Sequence, residues 1–101
     1  MKMLLIVFRE SMVEQIHALL AEYQVNAFTE LRNVAGRGDT GSTVHFSLMA
    51  GANCVILAAV PEQDAYRLID VLSRFRTEQM KDHGDALVPL HVFLLPCEQV
   101  V

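Results

Sequence analysis

Val34-Ala35-Gly36-Arg37-Gly38-Asp39-Thr40-Gly41-Ser42-Thr43, followed by His45 to Gly51, divides the 101-residue chain into two halves of similar design. Four of the five glycines, at positions 36, 38, 41 and 51, fall in this one stretch, between two runs that read as strands. Residues 34–52 therefore read as a long loop, mobile or ordered by a ligand, and a loop of that length in so small a chain is usually functional. Glycines at this density bring backbone N–H groups close to an anion or to a protein partner.

Before the loop, Met3-Leu4-Leu5-Ile6-Val7-Phe8 is apolar at every position, the mark of a strand buried on both faces. Six apolar residues behind Lys2 are too few for a signal core or a membrane span. Ser11 and Glu14 have capping-box spacing and predict a helix start, and Ile16, Leu19, Leu20 and Tyr23 carry its apolar stripe to about Gln24. Residues 25–34 read as a second strand. Beyond the loop, Asn53-Cys54-Val55-Ile56-Leu57-Ala58-Ala59-Val60 is a third strand, again apolar on both faces. Pro61 with Glu62 and Asp64 opens a second helix, whose stripe is Ala65, Leu68, Ile69, Leu72 and Phe75, with Arg67, Asp70 and Arg74 outside. Residues 77–89 read as a polar surface loop, and Leu90-His91-Val92-Phe93-Leu94-Leu95 as the last strand, ended by Pro96.

The order is βαββαβ. Right-handed crossovers place both helices on one face of a four-stranded antiparallel sheet, an α+β, ferredoxin-like plan in one domain spanning 1–101. Helices then cover one sheet face, yet Leu5 and Val7, Val55 and Leu57, and Phe93 and Leu95 make the second face apolar too. Copies of the same chain are the economical cover, so a homo-oligomer is expected.

Hydrophobic residues make up 52% of the chain and charged residues 20%, which excludes disorder. A net charge of -4 argues against non-specific binding to nucleic acid or anionic membranes, since both need a basic surface. Cys54 and Cys97 form no C-x-x-C pair and no disulfide framework, which fits a cytoplasmic protein; Cys54 is expected to be buried and inert, and Cys97 exposed. No nucleophile, base and carboxylate stand in a recognisable context, so an enzyme is the least supported class. In the loop, Arg37 offers a bidentate contact to phosphate or carboxylate, or pairs with Asp39. Asp39, Thr40, Ser42 and Thr43 suit a polar ligand or an ordinary turn.

With this element order and loop position, the chain resembles the PII signalling superfamily of nitrogen regulators, and its small PII-like branch in particular. The residues that carry the resemblance are Thr29 in Ala27-Phe28-Thr29, similar to the family's nucleotide-side strand, and Gly36-Arg37-Gly38, similar to the base of its loop. The resemblance implies a homotrimer whose sheets line the centre, a small anionic metabolite bound between subunits (ATP, ADP or AMP), and a protein target engaged by the loop 34–52. It implies ligand contacts from Thr29, Gly36, Arg37, Gly38, Asp39, Thr40 and Gly41 on one subunit, and from Arg74, Arg76 and Lys81 on the next. Two departures stand out. No tyrosine lies between Ala35 and Ala52, so control by tyrosine modification is not expected, and Phe75-Arg76-Thr77-Glu78-Gln79-Met80-Lys81 replaces the family's glycine-rich phosphate loop. Two other classes remain open. One is a ligand-independent interaction module docking through Phe46, Leu48 and Met49; the other is a protein of divalent-cation tolerance using His45, Asp82, His83 and Asp85.

Overall fold

A computed structural model describes residues 1–36, 53–82, 84 and 88–101. Strand β1 (Lys2–Arg9) leads through a 3-10 turn (Glu10–Met12) into helix α1 (Val13–Glu22); β2 (Thr29–Val34), β3 (Asn53–Val60), helix α2 (Glu62–Asp82) and β4 (Leu90–Pro96) follow. The sheet is antiparallel in the order β2-β3-β1-β4, the ferredoxin-like arrangement. At its centre β1 and β3 pair along their whole length, from Lys2 opposite Val60 to Arg9 opposite Asn53.

Alternation along each strand sets the two faces. Toward the helices point Leu4, Ile6 and Phe8, then Cys54, Ile56, Ala58 and Val60, then Leu90, all buried. They pack against Met12, Ile16 and Leu20 from the first half and Ala65, Leu68 and Leu72 from α2. Side chains of this size each contribute about 1.5–3 kcal/mol on full burial, so this layer holds the fold together. The opposite face is apolar, as expected, and open. In register across it run Leu31, Val55, Val7 and His91; then Thr29, Leu57, Leu5 and Phe93; then Ala59, Met3 and Leu95. Leu31, Phe93 and Leu95 remain 51%, 53% and 43% exposed.

Three local expectations are corrected. The Ser11/Glu14 capping box does not form: the extended residue is Arg9, the chain already turns at Glu10, and the residue before α1 is Met12, which makes no side-chain cap bond. Helix α1 ends at Glu22, with Gln24 at φ 63. Gln24 N–H donates to Ala21 O at 3.0 Å and Val25 N–H to Leu20 O at 2.8 Å, the paired bonds of a Schellman ending, with Val25 buried beside Leu20. That ending consumes 25–28, so β2 starts at Thr29 and not at Val25. Residues 77–82, expected in a loop, continue α2: Phe75 and Met80 extend the stripe from Leu72 onto the core, and Thr77 and Glu78 between them face outward. Arg67 lies on the exposed side of α2, as expected, and is paired there. It pairs with Asp64 at 3.4 Å, lies 5.6 Å from the Tyr23 ring centre and donates to Tyr23 O at 3.5 Å, clamping α2 to the end of α1.

Candidate functional site

Where β2 begins, the chain leaves α1 through Val25 and lays Asn26, Ala27 and Phe28 beside the outer face of the sheet. With Thr29, Leu57, Ala59 and Met3 these residues line an open depression of about 630 Å³. Register explains the lining, because Thr29 stands opposite Leu57 and Met3 opposite Ala59. The floor is apolar, while the Thr29 hydroxyl and the Asn26 amide supply hydrogen-bonding groups at the rim. An apolar floor with a few placed polar groups suits a flat heterocycle.

Behind this wall, on the helix side of β2, stands a polar cluster that no sequence motif announces. Glu30 Oε1 accepts from Nε2 of His17 at 2.5 Å, and Oε2 accepts from Nε of Arg32 at 2.7 Å. Burial by itself raises the Glu30 pKa, but the bonds from Arg32 and His17 outweigh it and hold the carboxyl below its ordinary range. The His17 ring also lies 5.6 Å from the ring of Phe28, tilted by 41°. Beneath Glu30, burial and then the negative charge of Glu30 push the Cys54 thiol up to about 11, so the thiolate is disfavoured and the expected inertness is explained. The pairing of His17 with Glu30 spans 13 positions and links a helix to a strand, so no local spacing signals it. Glu30 and Arg32 were readable as a pair, since residues two apart in a strand share a face.

At its far end β2 carries a bulge. Leu31 faces Val55 but Val34 faces Asn53, so one extra residue is accommodated, with Asn33 at φ 60. The Asn33 N–H donates to Glu10 Oε1 at 3.0 Å, which anchors the bulge to the 3-10 turn. Just beyond, Gly36 passes so close to Asn53 that a Cβ would lie 3.3 Å from its side-chain nitrogen, a tight fit for any larger residue. Thr29 thus opens β2, whereas Gly36 lies two residues past its other end.

The basic candidates lie elsewhere. Arg74 pairs with Asp70 at 3.4 Å on the exposed side of α2, and Lys81 sits in that helix's last turn. Arg76 turns toward β4, where its Nε donates to Val88 O at 3.4 Å, and borders a 200 Å³ cavity with Ile69, Leu72, Ser73, Leu90 and Val92. Since β2 and β4 are the two edges of the sheet, Thr29 and Arg76 do not meet within one chain. Arg37, Gly38, Asp39, Thr40 and Gly41 lie outside the described residues, as do Phe46, Leu48, Met49, His45, His83 and Asp85. Among the described residues no three His, Cys, Asp or Glu side chains converge on a metal-sized site.

No curated protein matches the chain. Solved structures do. The nitrogen regulatory PII-like protein CPII from Thiomonas intermedia K12, bound to ADP, AMP and bicarbonate, superposes with a TM-score of 0.68 at 24% identity, covering 92% of this chain and 81% of that one. The same protein bound to ADP and bicarbonate gives 0.61 at 27% identity, over 92% and 81%. A Thermus thermophilus protein classed as PII-like in signalling gives 0.56 at 18% identity, over 93% and 84%, a likeness of fold alone. The four-stranded sheet agrees with a family match that runs the full length of the sequence: over residues 1–101 the chain belongs to the nitrogen regulatory protein P-II family.

Proposed function

We propose that the chain is a PII-like regulatory protein that binds an adenine nucleotide against the Phe28–Thr29 wall and signals to a protein target through residues 34–52. The observation that carries this reading is the depression at the start of β2, whose apolar floor and Thr29 and Asn26 rim suit a purine ring. Support comes from CPII of Thiomonas intermedia, which at 27% identity holds ADP and bicarbonate. The phosphate end is assigned to Gly36-Arg37-Gly38 with Asp39, Thr40 and Gly41, and to Arg74, Arg76 and Lys81 of a neighbouring subunit. A trimer supplies that neighbour, because it brings the β4 edge of one copy toward the β2 edge of the next and covers the apolar sheet face. The protein is assigned to the cytoplasm and acts by binding, not by catalysis. Among the described residues no helix is long and apolar enough to cross a membrane.

Calorimetric titration with ATP, ADP and AMP, each with and without bicarbonate, tests the reading. At least one nucleotide is expected to bind, and Arg37→Ala to weaken it by about 1.5–3 kcal/mol, the range for a hydrogen bond to a charged group. Silence from all three nucleotides would remove the sensor claim and leave only the fold. A tenfold change in loop population on binding requires about 1.4 kcal/mol of differential affinity between its states.

A further inference from the structure

The ligand wall is backed on its helix side by a run of contacts that begins at Arg32. Nε of Arg32 donates to Oε2 of Glu30 at 2.7 Å, and Nε2 of His17 donates to Oε1 at 2.5 Å. A carboxylate only accepts, so the hydrogen of that second bond belongs to His17 whatever the other ring nitrogen carries. The imidazole is thereby tied at one edge to β2 and at its Cβ to α1, which limits the angles its plane can take. Against it lies the ring of Phe28, 5.6 Å away between centres and tilted by 41°, within the range of paired aromatic rings. Phe28 is half-buried, lies just before the first residue of β2 and lines the depression beside Thr29. Thr29 and Glu30 point to opposite faces of the strand, as neighbours do, so one meets the depression and the other supports it from behind.

The geometry points to His17 as a positioning residue for the base end of the ligand site, one that acts through its ring on Phe28 and is itself held by Glu30 and Arg32. This inference rests on the nucleotide reading above and names the residue that prepares its wall. Phe28 stands in the connection between α1 and β2, so its side chain is set by what packs on it and not by strand pairing. A ring already in place when the nucleotide arrives needs no further ordering, whereas a ring free to change rotamer must be fixed on binding, which weakens affinity. The role requires the ring at position 17 and no change in its charge.

Two substitutions separate the ring of His17 from its bond. His17→Gln keeps a donor toward Glu30 and has no ring; His17→Phe keeps a ring beside Phe28 and has no donor, and with 36% of the His17 side chain exposed the larger ring has room. ADP is titrated into the native chain and both variants by calorimetry at one pH, and the same three chains are unfolded in urea. His17→Gln is expected to bind ADP about two- to tenfold more weakly than the native chain, the effect of ordering one side chain on binding, and His17→Phe to stay within about twofold of it. Urea should rank the variants the other way, because His17→Phe leaves an oxygen of Glu30 without its bond from His17. Affinity that follows stability across the three chains, or that is equal in all of them, overturns the inference. A further readout needs no nucleotide: Hα–Hβ couplings of Phe28 in NMR spectra of the free protein should report one χ1 rotamer in the native chain and in His17→Phe, and averaging in His17→Gln. One rotamer kept in His17→Gln overturns the inference whether or not ADP binds. If the native chain does not bind ADP, the nucleotide reading falls by itself and the couplings decide the role of His17.

Discussion

Replacing Phe93 with Asp tests what covers the open face of the sheet. Phe93 lies in register with Leu5, Leu57 and Thr29, and 53% of it is exposed in the isolated chain. For an aromatic side chain of roughly 200 Å² that leaves about 100 Å² of apolar surface in water. Covering it by a second copy contributes about 2.5 kcal/mol per subunit at about 25 cal/mol per Å², nearly two decades in an association constant. Aspartate removes this contribution and adds the desolvation of a charge. Phe93 is outside the helix-side core, so the subunit itself should stay folded. Sedimentation velocity with light scattering at micromolar concentration is the assay, with circular dichroism as the check on folding. The native chain is expected at three times its 11.3 kDa mass, and Phe93→Asp at or near a single chain with unchanged helix content. The reasoning is refuted by a native protein that runs as a monomer, or by a variant that assembles as well as the native chain.

Three further outcomes follow from the same geometry. Because the Glu30 carboxyl is held below its ordinary value of 4.5 in the folded state, it stabilises the fold above that pH and loses this contribution as pH falls through the lowered value. Glu30→Gln should therefore be less stable by about 1 kcal/mol at pH 7 in urea unfolding, and the gap should close under acid conditions below pH 4.5. A gap that persists there would assign the effect to packing. A thiol reagent at pH 8 should label Cys97 in the native protein and reach Cys54 only on unfolding, as one fast and one slow site read by mass spectrometry. Asn33→Val should destabilise by about 1–2 kcal/mol, since a β-branched residue does not tolerate φ near 60, whereas Asn33→Gly should be nearly neutral; equal losses in thermal melts would show that the Asn side chain and not the backbone matters.

Much of this architecture was legible in the strands. Met3-Leu4-Leu5-Ile6-Val7-Phe8 and the 53–60 run are apolar on both faces, one of which meets helices while the other stands open, and both the sheet and its open face follow from that reading. Signals at element ends were weaker. Ser11 and Glu14 have the right spacing for a cap, but the chain turns one step earlier and gives the anchoring role to Glu10, whose partner Asn33 is 23 residues away. Residues 77–82 read as loop because Thr77, Glu78, Gln79 and Lys81 surround Met80, the one apolar residue that carries the stripe on past Phe75. Thr29 lies in the second strand, as read, though it begins it, and Phe28 beside it lines the same depression. The cluster behind it was not visible, because His17 and Glu30 come together only once α1 is laid across β2.

The pair formed by Val34 and Asn53 closes the sheet at the point where the chain leaves β2 and returns to β3, and Asn53 is held from the other side by Arg9 of β1. The two ends of the segment between those residues are thus set by sheet pairing. For such a segment the entropy of closure rises only with the logarithm of its length, so doubling it costs about 0.6 kcal/mol. In that sense the sheet fixes where the chain leaves β2 and where it re-enters at β3, and a change of length between the two points leaves the pairing of Val34 with Asn53 as it is.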